Sequence, residues 1–521
     1  MKRTAVEWFV KRLQEHGVDW MATLCGFGLD PLYHAAKRAG LRLIDTRNEQ
    51  TAGYMAECFG RLTRQPGVCA VSSGVAHVNA LTGVVNAWFD GAPMLLISGA
   101  GPLRTRGMGH FQDFNQADMA LPVTRYCRAI DSAERVVQIL DEAWEAALSP
   151  APGPVHLTFP LDVQEAEVDE ERLLRHVPLR LAQPAARDAI EVAAALAQAA
   201  QPLIVAGGGL YYAGTAQAML DFSERYSIPV VVPIWDRGPV DRPAATFMGV
   251  LGAATGGPRL LADADCILMA GAANDYRVGH LQPPAIRGDA RVVFWEREWD
   301  RLEAAYRRAK GPTHDAWLLE AQRRREEFRH KVAQSAARQS WNGIHAWHIL
   351  QALRHVLASE TVLLIDGGSI GQWVHQALCD RYPGHWLTCG RSAVVGWGVG
   401  GAMAARLAFP DRPVILLSGD GAFTFNVADL ESAARQQLHF VAIVADDQGW
   451  GITRISHEEK FGAPIASSLG PIAFDRLAEA LGARGVRVNA PAEIERALRT
   501  ALAAKTVAVI HVPVTGGNPG A

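Results

Sequence analysis

The stretch PVILLSGDGAF, residues 413–423, is an apolar, β-branched run broken by Gly-Asp-Gly. A run of this length bounded by turn residues predicts a buried strand of a parallel sheet. In open α/β sheets ligands bind beyond the carboxyl ends of strands, which is where Gly419, Asp420, Gly421 and Ala422 fall. The two glycines permit a tight turn with exposed backbone N–H groups, a cradle suited to phosphate. Asp420 between them can hold a hard divalent cation through a carboxylate oxygen. Taken alone, the tripeptide is equally a plain β-turn, because Gly and Asp dominate turns.

A second strand with an unusual ending follows in FVAIVADDQGWGI, residues 440–452. Asp446 and Asp447 stand side by side at its mouth, and Asp447 lies 27 residues after Asp420. Gly449 can add a backbone carbonyl. One or two carboxylates, a carbonyl, a water and diphosphate oxygens make an octahedral set of the kind magnesium prefers. Asp446 is not needed as a ligand and is expected to turn to backbone N–H groups of the following turn. The bland alternative is that both aspartates cap the next helix.

Outward from this region the same rhythm recurs. Short β-branched runs (LRLI, VCAVSS, PMLLISG, then IPVVVPI, ADCILMAG, RVVFWERE) alternate with helical patterns such as the one from about Glu49 to Leu62. Alternation of this kind predicts an α/β protein with doubly wound parallel sheets. Two weaker zones divide it into three domains, expected at 1–165, 185–335 and 345–521. The first zone, acidic and proline-bearing around residues 163–188, reads as a linker. The second includes the charged helix EAQRRREEFRHKV, whose charges read as a solvated face.

Composition narrows the functional classes. The chain has 521 residues, 49% of them apolar, and a net charge of −3. Nothing is basic enough for a nucleic-acid partner, and a nearly neutral balance gives no attraction to a membrane surface. Small molecules or copies of the same chain are the expected partners. The seven cysteines (25, 58, 69, 127, 266, 379 and 389) are scattered without a C-x-x-C pair, which speaks against a disulfide framework or a zinc site. The N-terminal MKRTAVEWFVKRLQEHGVDW interleaves charge with apolar residues, unlike a signal peptide, so the cytoplasm is the expected location.

The GDG stretch with Asp447 beyond it resembles the thiamine diphosphate-dependent decarboxylase and carboligase superfamily, in which an Asn-rich metal segment follows GDG. The resemblance spans the whole chain in the order pyrimidine-binding, central and diphosphate-binding domain, with acetolactate synthase and benzaldehyde lyase as the nearest patterns. It implies thiamine diphosphate and Mg2+ as cofactors, the metal held by Asp420, Asp447 and the Gly449 carbonyl. A second carboxylate in place of Asn would neutralise the ion more fully and hold it harder. Trp450, Gly451 and Ile452 complete that segment, Ile452 beside the reactive carbon. Ser369 joins the cofactor-binding set. RSAVVGWGVGG resembles the stretch that bends the cofactor, with Val395 as the wedge between its rings and the Ala393 carbonyl receiving the aminopyrimidine; Trp397 either assists that wedge or is core.

In the first block, IDTRNEQTAGYMAECFGRLT resembles the segment of the cofactor-activating glutamate, which falls on Glu49. A carboxyl bonded to the pyrimidine ring nitrogen tunes its protonation. Alone, a Glu in a first helical turn is a partner of the helix dipole. VSSGVAHVNAL resembles the family's S-G-P-G-x-T-N element and brings His77 as an acid–base candidate. GHFQDFNQAD places Gln112 where carboligases carry a glutamine that reaches the reaction centre, able both to donate and to accept. Gly28 stands where lyases carry a histidine. Thr453 stands where simple pyruvate decarboxylases carry a glutamate, which argues against that chemistry. Arg277 and Arg454 are candidate anchors for a substrate carboxylate, or surface ion pairs. The central domain carries IVAGGGL; the resemblance allows FAD or ADP there, but Ala273 replaces the basic residue usual in flavin binders, and a scaffold without nucleotide is an open reading.

Together these features imply cleavage or formation of a bond beside a carbonyl in a 2-oxo acid or acyloin. The resemblance further implies a homodimer or homotetramer with the site shared between subunits. The alternatives are a 2-hydroxyacyl-CoA lyase or oxalyl-CoA decarboxylase type, and an inactive binding or regulatory homologue.

Overall fold

In a computed structural model of the chain, the described residues are 2–178, 188–236, 240, 242–251, 259–339, 344–378 and 384–515. The expected domain edges at 185 and 521, and Cys379, lie outside them. The chain forms two compact units. One comprises Met1–Gln183, Val399–Asp411 and Asn426–Leu438; the other comprises Pro184–Gly398, Arg412–Phe425 and His439–Ala521.

The first unit is built on a parallel sheet of six strands. Their spatial order is Arg42–Asp45, Trp20–Leu24, Gly67–Val71, Met94–Ala100, Pro154–Pro160 and Tyr126–Ala129. Every residue of Gly67–Val71 is buried, as a strand covered by helices on both faces requires. Part of the zone expected to be a linker is a strand: Glu167–Asp169 pairs antiparallel with Lys2–Thr4. Burial explains it, because Val168 is packed in the core and its carbonyl accepts from Trp8 Nε1 at 3.1 Å.

Two helices of this unit cross unusually closely, and that crossing positions the chemistry. Asn48 caps Glu49–Thr63, its side chain accepting from the Gln50 N–H at 2.9 Å. This helix meets Val75–Asp90 through Gly53 and Gly83; a Cβ on Gly83 would lie 2.4 Å from the Gly53 carbonyl carbon. Only glycine allows two helix backbones so near each other.

The second unit holds two parallel sheets. The central one orders Phe247–Leu251, Val230–Pro233, Pro202–Ala206, Cys266–Ala270 and Arg291–Trp295. The C-terminal one orders Ile344–His345, Ala508–Thr515, Val441–Asp446, Val414–Gly419, Val362–Asp366 and His385–Leu387, with Arg484–Arg487 also joined to Ala508–Thr515. After Val362–Asp366 the chain runs to one side, to His385–Leu387, and then returns to Val414–Gly419 on the other. That reversal is a topological switch point, where open α/β sheets bind ligands. The expected α/β class with three parallel sheets is thus what the chain adopts. Among the described residues, no helix is long and apolar enough to cross a membrane.

Candidate active site

A cavity of about 250 Å³ opens at the switch point of the C-terminal sheet. Ser369, Ala393, Val395 and residues 419–422, 447 and 449–453 line it, so every sequence-derived cofactor position of this unit comes to one place. Trp397, by contrast, is fully buried core and does not line it. Its loop is fastened from below by a residue that sequence reasoning missed. Asp366, buried at the end of its strand, accepts the N–H groups of Gly396 at 3.1 Å and Gly398 at 2.8 Å. Burial raises its carboxyl to about 7 against those two bonds. Ala393 is held at φ 55, a left-handed conformation, in the loop that Asp366 secures.

Absence of side chains shapes the mouth of the cavity. A Cβ on Gly419 would meet nothing within 4 Å, leaving its backbone open. One on Gly421 would lie 2.9 Å from the Trp450 ring, and one on Gly451 would lie 2.4 Å from Ser369 Oγ and 2.5 Å from Asp447 Oδ2. Ser369 Oγ is buried and has no hydrogen-bond partner among the described residues. A buried hydroxyl without a partner costs about 1–3 kcal/mol, which a ligand oxygen would recover.

The acids meet as the spacing suggested. Asp420 Oδ2 accepts the Gly449 N–H at 3.0 Å. Burial, and after it the charge of Asp447, push the Asp420 carboxyl well above the usual carboxylate range. Burial likewise raises Asp447, while Arg454 opposes it. Two carboxylates largely withdrawn from water, both raised by burial and one raised further by the other's charge, are a pair short of positive charge, so a divalent cation fits. Asp446 is separate: it accepts the Gln448 N–H at 3.1 Å, as a turn residue should, and its other oxygen lies 2.9 Å from His511 Nε2. His511 continues to Asp475 at 3.1 Å, a connection from strand to strand to helix that adjacent residues could not reveal.

In the first unit, Glu49 opens its helix and accepts from Asn79 Nδ2 at 2.7 Å. Asn79 Nδ2 also reaches the capping Asn48 at 3.0 Å. It is the Asn of the S-G-P-G-x-T-N-like element, so the signal was in the sequence although its partner was not. Gln112 adopts φ 54 and accepts from Ser73 Oγ at 2.8 Å, with its side chain packed where a Cβ on Gly74 would stand. Gly28 has φ 101, and a Cβ there would lie 2.9 Å from the Ala100 nitrogen. A histidine at this position would be both strained and blocked by backbone.

Three weaker positions have side chains engaged by protein partners. His77 is fully buried, with Nδ1 2.7 Å from Ser98 Oγ; Ser98 bridges to His156 at 2.8 Å, and burial lowers His77 to about 4. It is therefore a neutral core imidazole. Arg277 is also buried, with Nη2 2.8 Å from Asp275, Nη1 3.6 Å from Asp236 and a bond to the Ile234 carbonyl at 3.0 Å. Its guanidinium is occupied by protein acceptors, because a buried charge must be paired. Arg454 is directed to Asp447. The glycine turn of the central domain packs against its neighbour strand's exit: a Cβ on Gly207 would lie 2.4 Å from Ala272 Cα.

Comparison with known proteins covers nearly the whole chain. Three family models match in succession: the N-terminal TPP binding domain of thiamine pyrophosphate enzymes over residues 3–119, their central domain over 190–310, and their C-terminal TPP binding domain over 366–512. The chain is 29% identical over 529 residues to the acetolactate synthase large subunit IlvG of Mycobacterium tuberculosis, covering 96% of this chain and 94% of that one. It is 26% identical over 525 residues to the acetolactate synthase isozyme 2 large subunit of Escherichia coli, covering 98% and 95%. It is also 27% identical over 540 residues to human 2-hydroxyacyl-CoA lyase 2, covering 92% and 84%. Three consecutive domains in the family order, the last of them carrying the glycine and aspartate cradle, identify this chain as a thiamine diphosphate-dependent enzyme of the decarboxylase and carboligase superfamily.

Proposed function

We propose that the protein uses thiamine diphosphate with Mg2+ to break or make the carbon–carbon bond next to a carbonyl in a small 2-oxo acid or acyloin. The observation that carries this reading is the cradle itself, with facing carboxylates at Asp420 and Asp447 and a buried, unpartnered Ser369 hydroxyl around open glycine backbone. Asp420, Asp447 and the Gly449 carbonyl would hold the metal, and Ser369 with the 419–422 backbone would hold the diphosphate. When bound, the cofactor supplies a thiazolium that accepts the electrons of the bond being broken. Glu49, oriented by Asn79, would be the carboxyl that exchanges a hydrogen bond with the pyrimidine. Gln112 supplies an amide that can donate to or accept from the substrate. The apolar walls from Val395, Trp450 and Ile452 exclude water.

A homodimer or homotetramer belongs to the same reading. It is supported by apolar side chains left exposed on the first unit, Val75 at 71%, Met108 at 75% and Phe111 at 62%. An interface between copies would cover side chains of this kind. The cytoplasm is the location we assign. The likeness to 2-hydroxyacyl-CoA lyase 2 favours a second reading, in which the carbonyl compound is a CoA thioester.

The test is a product screen by mass spectrometry. The full chain is supplied with thiamine diphosphate and Mg2+ and offered 2-oxo acids, acyloins and 2-hydroxyacyl-CoA thioesters. Turnover of acids or acyloins that vanishes without thiamine diphosphate is expected. Turnover of the thioesters alone would establish the second reading, and no cofactor-dependent product from any class would reject both.

A further inference from the structure

The cation site has one more charge than its two acids, and that charge is held in a fixed place. Arg454 Nη2 lies 3.3 Å from Asp447 Oδ2, and Nη1 donates to the Asp447 carbonyl at 2.9 Å and reaches the Gln448 carbonyl at 3.4 Å. Three acceptors from one turn keep the guanidinium from swinging away. The glycine beneath it is part of the same fit, because a Cβ on Gly449 would lie 2.5 Å from Nη1. Only 23% of the Arg454 side chain and 16% of the Asp447 side chain is exposed, so water screens the pair weakly.

The other acids in the cluster have different partners. Asp420 takes the Gly449 N–H, while Asp446 takes the Gln448 N–H and His511. Arg454 therefore serves Asp447 alone among these carboxylates. A divalent ion held by Asp420 and Asp447 would share the Asp447 carboxylate with this guanidinium, and like charges on one carboxylate repel by amounts that change affinity about tenfold or more.

We propose that Arg454 is a counter-charge built for Asp447, which gives a two-carboxylate cation site the net charge of a one-carboxylate site and thereby weakens its hold on the metal. Arg454 acts here as a positioning and charge-balancing residue, not as an anchor for substrate. The inference rests on the cation site assigned to Asp420, Asp447 and Gly449 above. Its consequence is exchangeability: two uncompensated carboxylates would retain the ion, whereas this trio can release it.

The experiment measures Mn2+ binding to the full chain in the presence of thiamine diphosphate, by the electron paramagnetic resonance signal of the free ion. The wild type should bind Mn2+, and Asp420→Asn should remove most of that binding. Arg454→Gln should tighten Mn2+ binding about tenfold or more, while Arg454→Lys, which keeps the charge, should stay within about threefold of wild type. In the Asp447→Asn background, Arg454→Gln should have a clearly smaller effect, because its partner is gone. Weaker Mn2+ binding in Arg454→Gln, or the same shift in both backgrounds, would overturn the counter-charge while leaving the site in place. Absence of binding that depends on Asp420 would instead remove the cation site and the inference with it.

Discussion

Asn79 Nδ2 donates to Glu49 Oε2 at 2.7 Å, from one helix to the first turn of another that crosses it at a glycine contact. The carboxylate assigned to cofactor activation is therefore oriented by a side chain of a different element. Glu49→Gln should lower kcat at least about a hundredfold, the usual contribution of a positioned acid or base. Asn79→Ala should lower it less, about tenfold, with thiamine diphosphate affinity measured by tryptophan fluorescence changing little. Undiminished turnover in Glu49→Gln would refute the assignment.

Gly451 is expected to admit no side chain. Gly451→Ala places a methyl group within 2.5 Å of both Ser369 Oγ and Asp447 Oδ2. Calorimetry should show thiamine diphosphate affinity reduced about tenfold or more, since the methyl occupies space between two binding groups. The melting temperature without cofactor should move by only a few degrees.

Gly28 is constrained for a reason of backbone, not of chemistry. Gly28→Ala and Gly28→His should each cost about 2–5 kcal/mol, from a left-handed conformation combined with close contact to the Ala100 nitrogen. Urea unfolding measures it. A Gly28→His variant as stable as wild type would show that this loop can open to accept a lyase-type histidine.

The buried imidazole of His77 makes the fold sensitive to acid. Its folded pKa is lowered to about 4 by burial, against about 6.5 in the unfolded chain. Between those values the unfolded state binds more protons, so stability is complete above pH 6.5 and falls as pH drops toward 4. By pH 5 the loss from this residue is about 2 kcal/mol. His77→Gln should flatten the fall of the unfolding free energy between pH 6.5 and 4, with His156, lowered by the same burial, supplying the slope that remains.

A buried ion network joins the helix of His77 to the helix Glu49–Thr63 that it crosses. Arg61 Nε is 3.0 Å from Asp90 and Nη1 is 3.7 Å from Glu57, whose carboxyl burial raises to about 7. Arg61→Met should destabilise the protein by about 3–5 kcal/mol, because it strands two acids in the core. Thermal unfolding provides the measurement.

Much of this architecture was legible in the order of residues. The runs TVLLID, PVILLSG and FVAIVA predict strands because a strand buried on both faces must be apolar at every position, and local composition is enough to show that. The GDG stretch and Asp447 could be placed at one sheet edge for the same reason, since the ends of neighbouring parallel strands lie together. Glu49 was visible as the opening residue of a helix. The partner of each group was not. That Asn79 holds Glu49, that Asp366 secures the Ala393 loop, that His511 takes Asp446 and that Asp275 and Asp236 occupy Arg277 all depend on contacts between distant segments. Periodicity records which face of an element is buried, whereas the choice of neighbour is made by sheet order and helix crossing. Arg454 lies between the two cases: it is only seven residues from Asp447, yet the turn between them had to fold before the guanidinium could find the carboxylate.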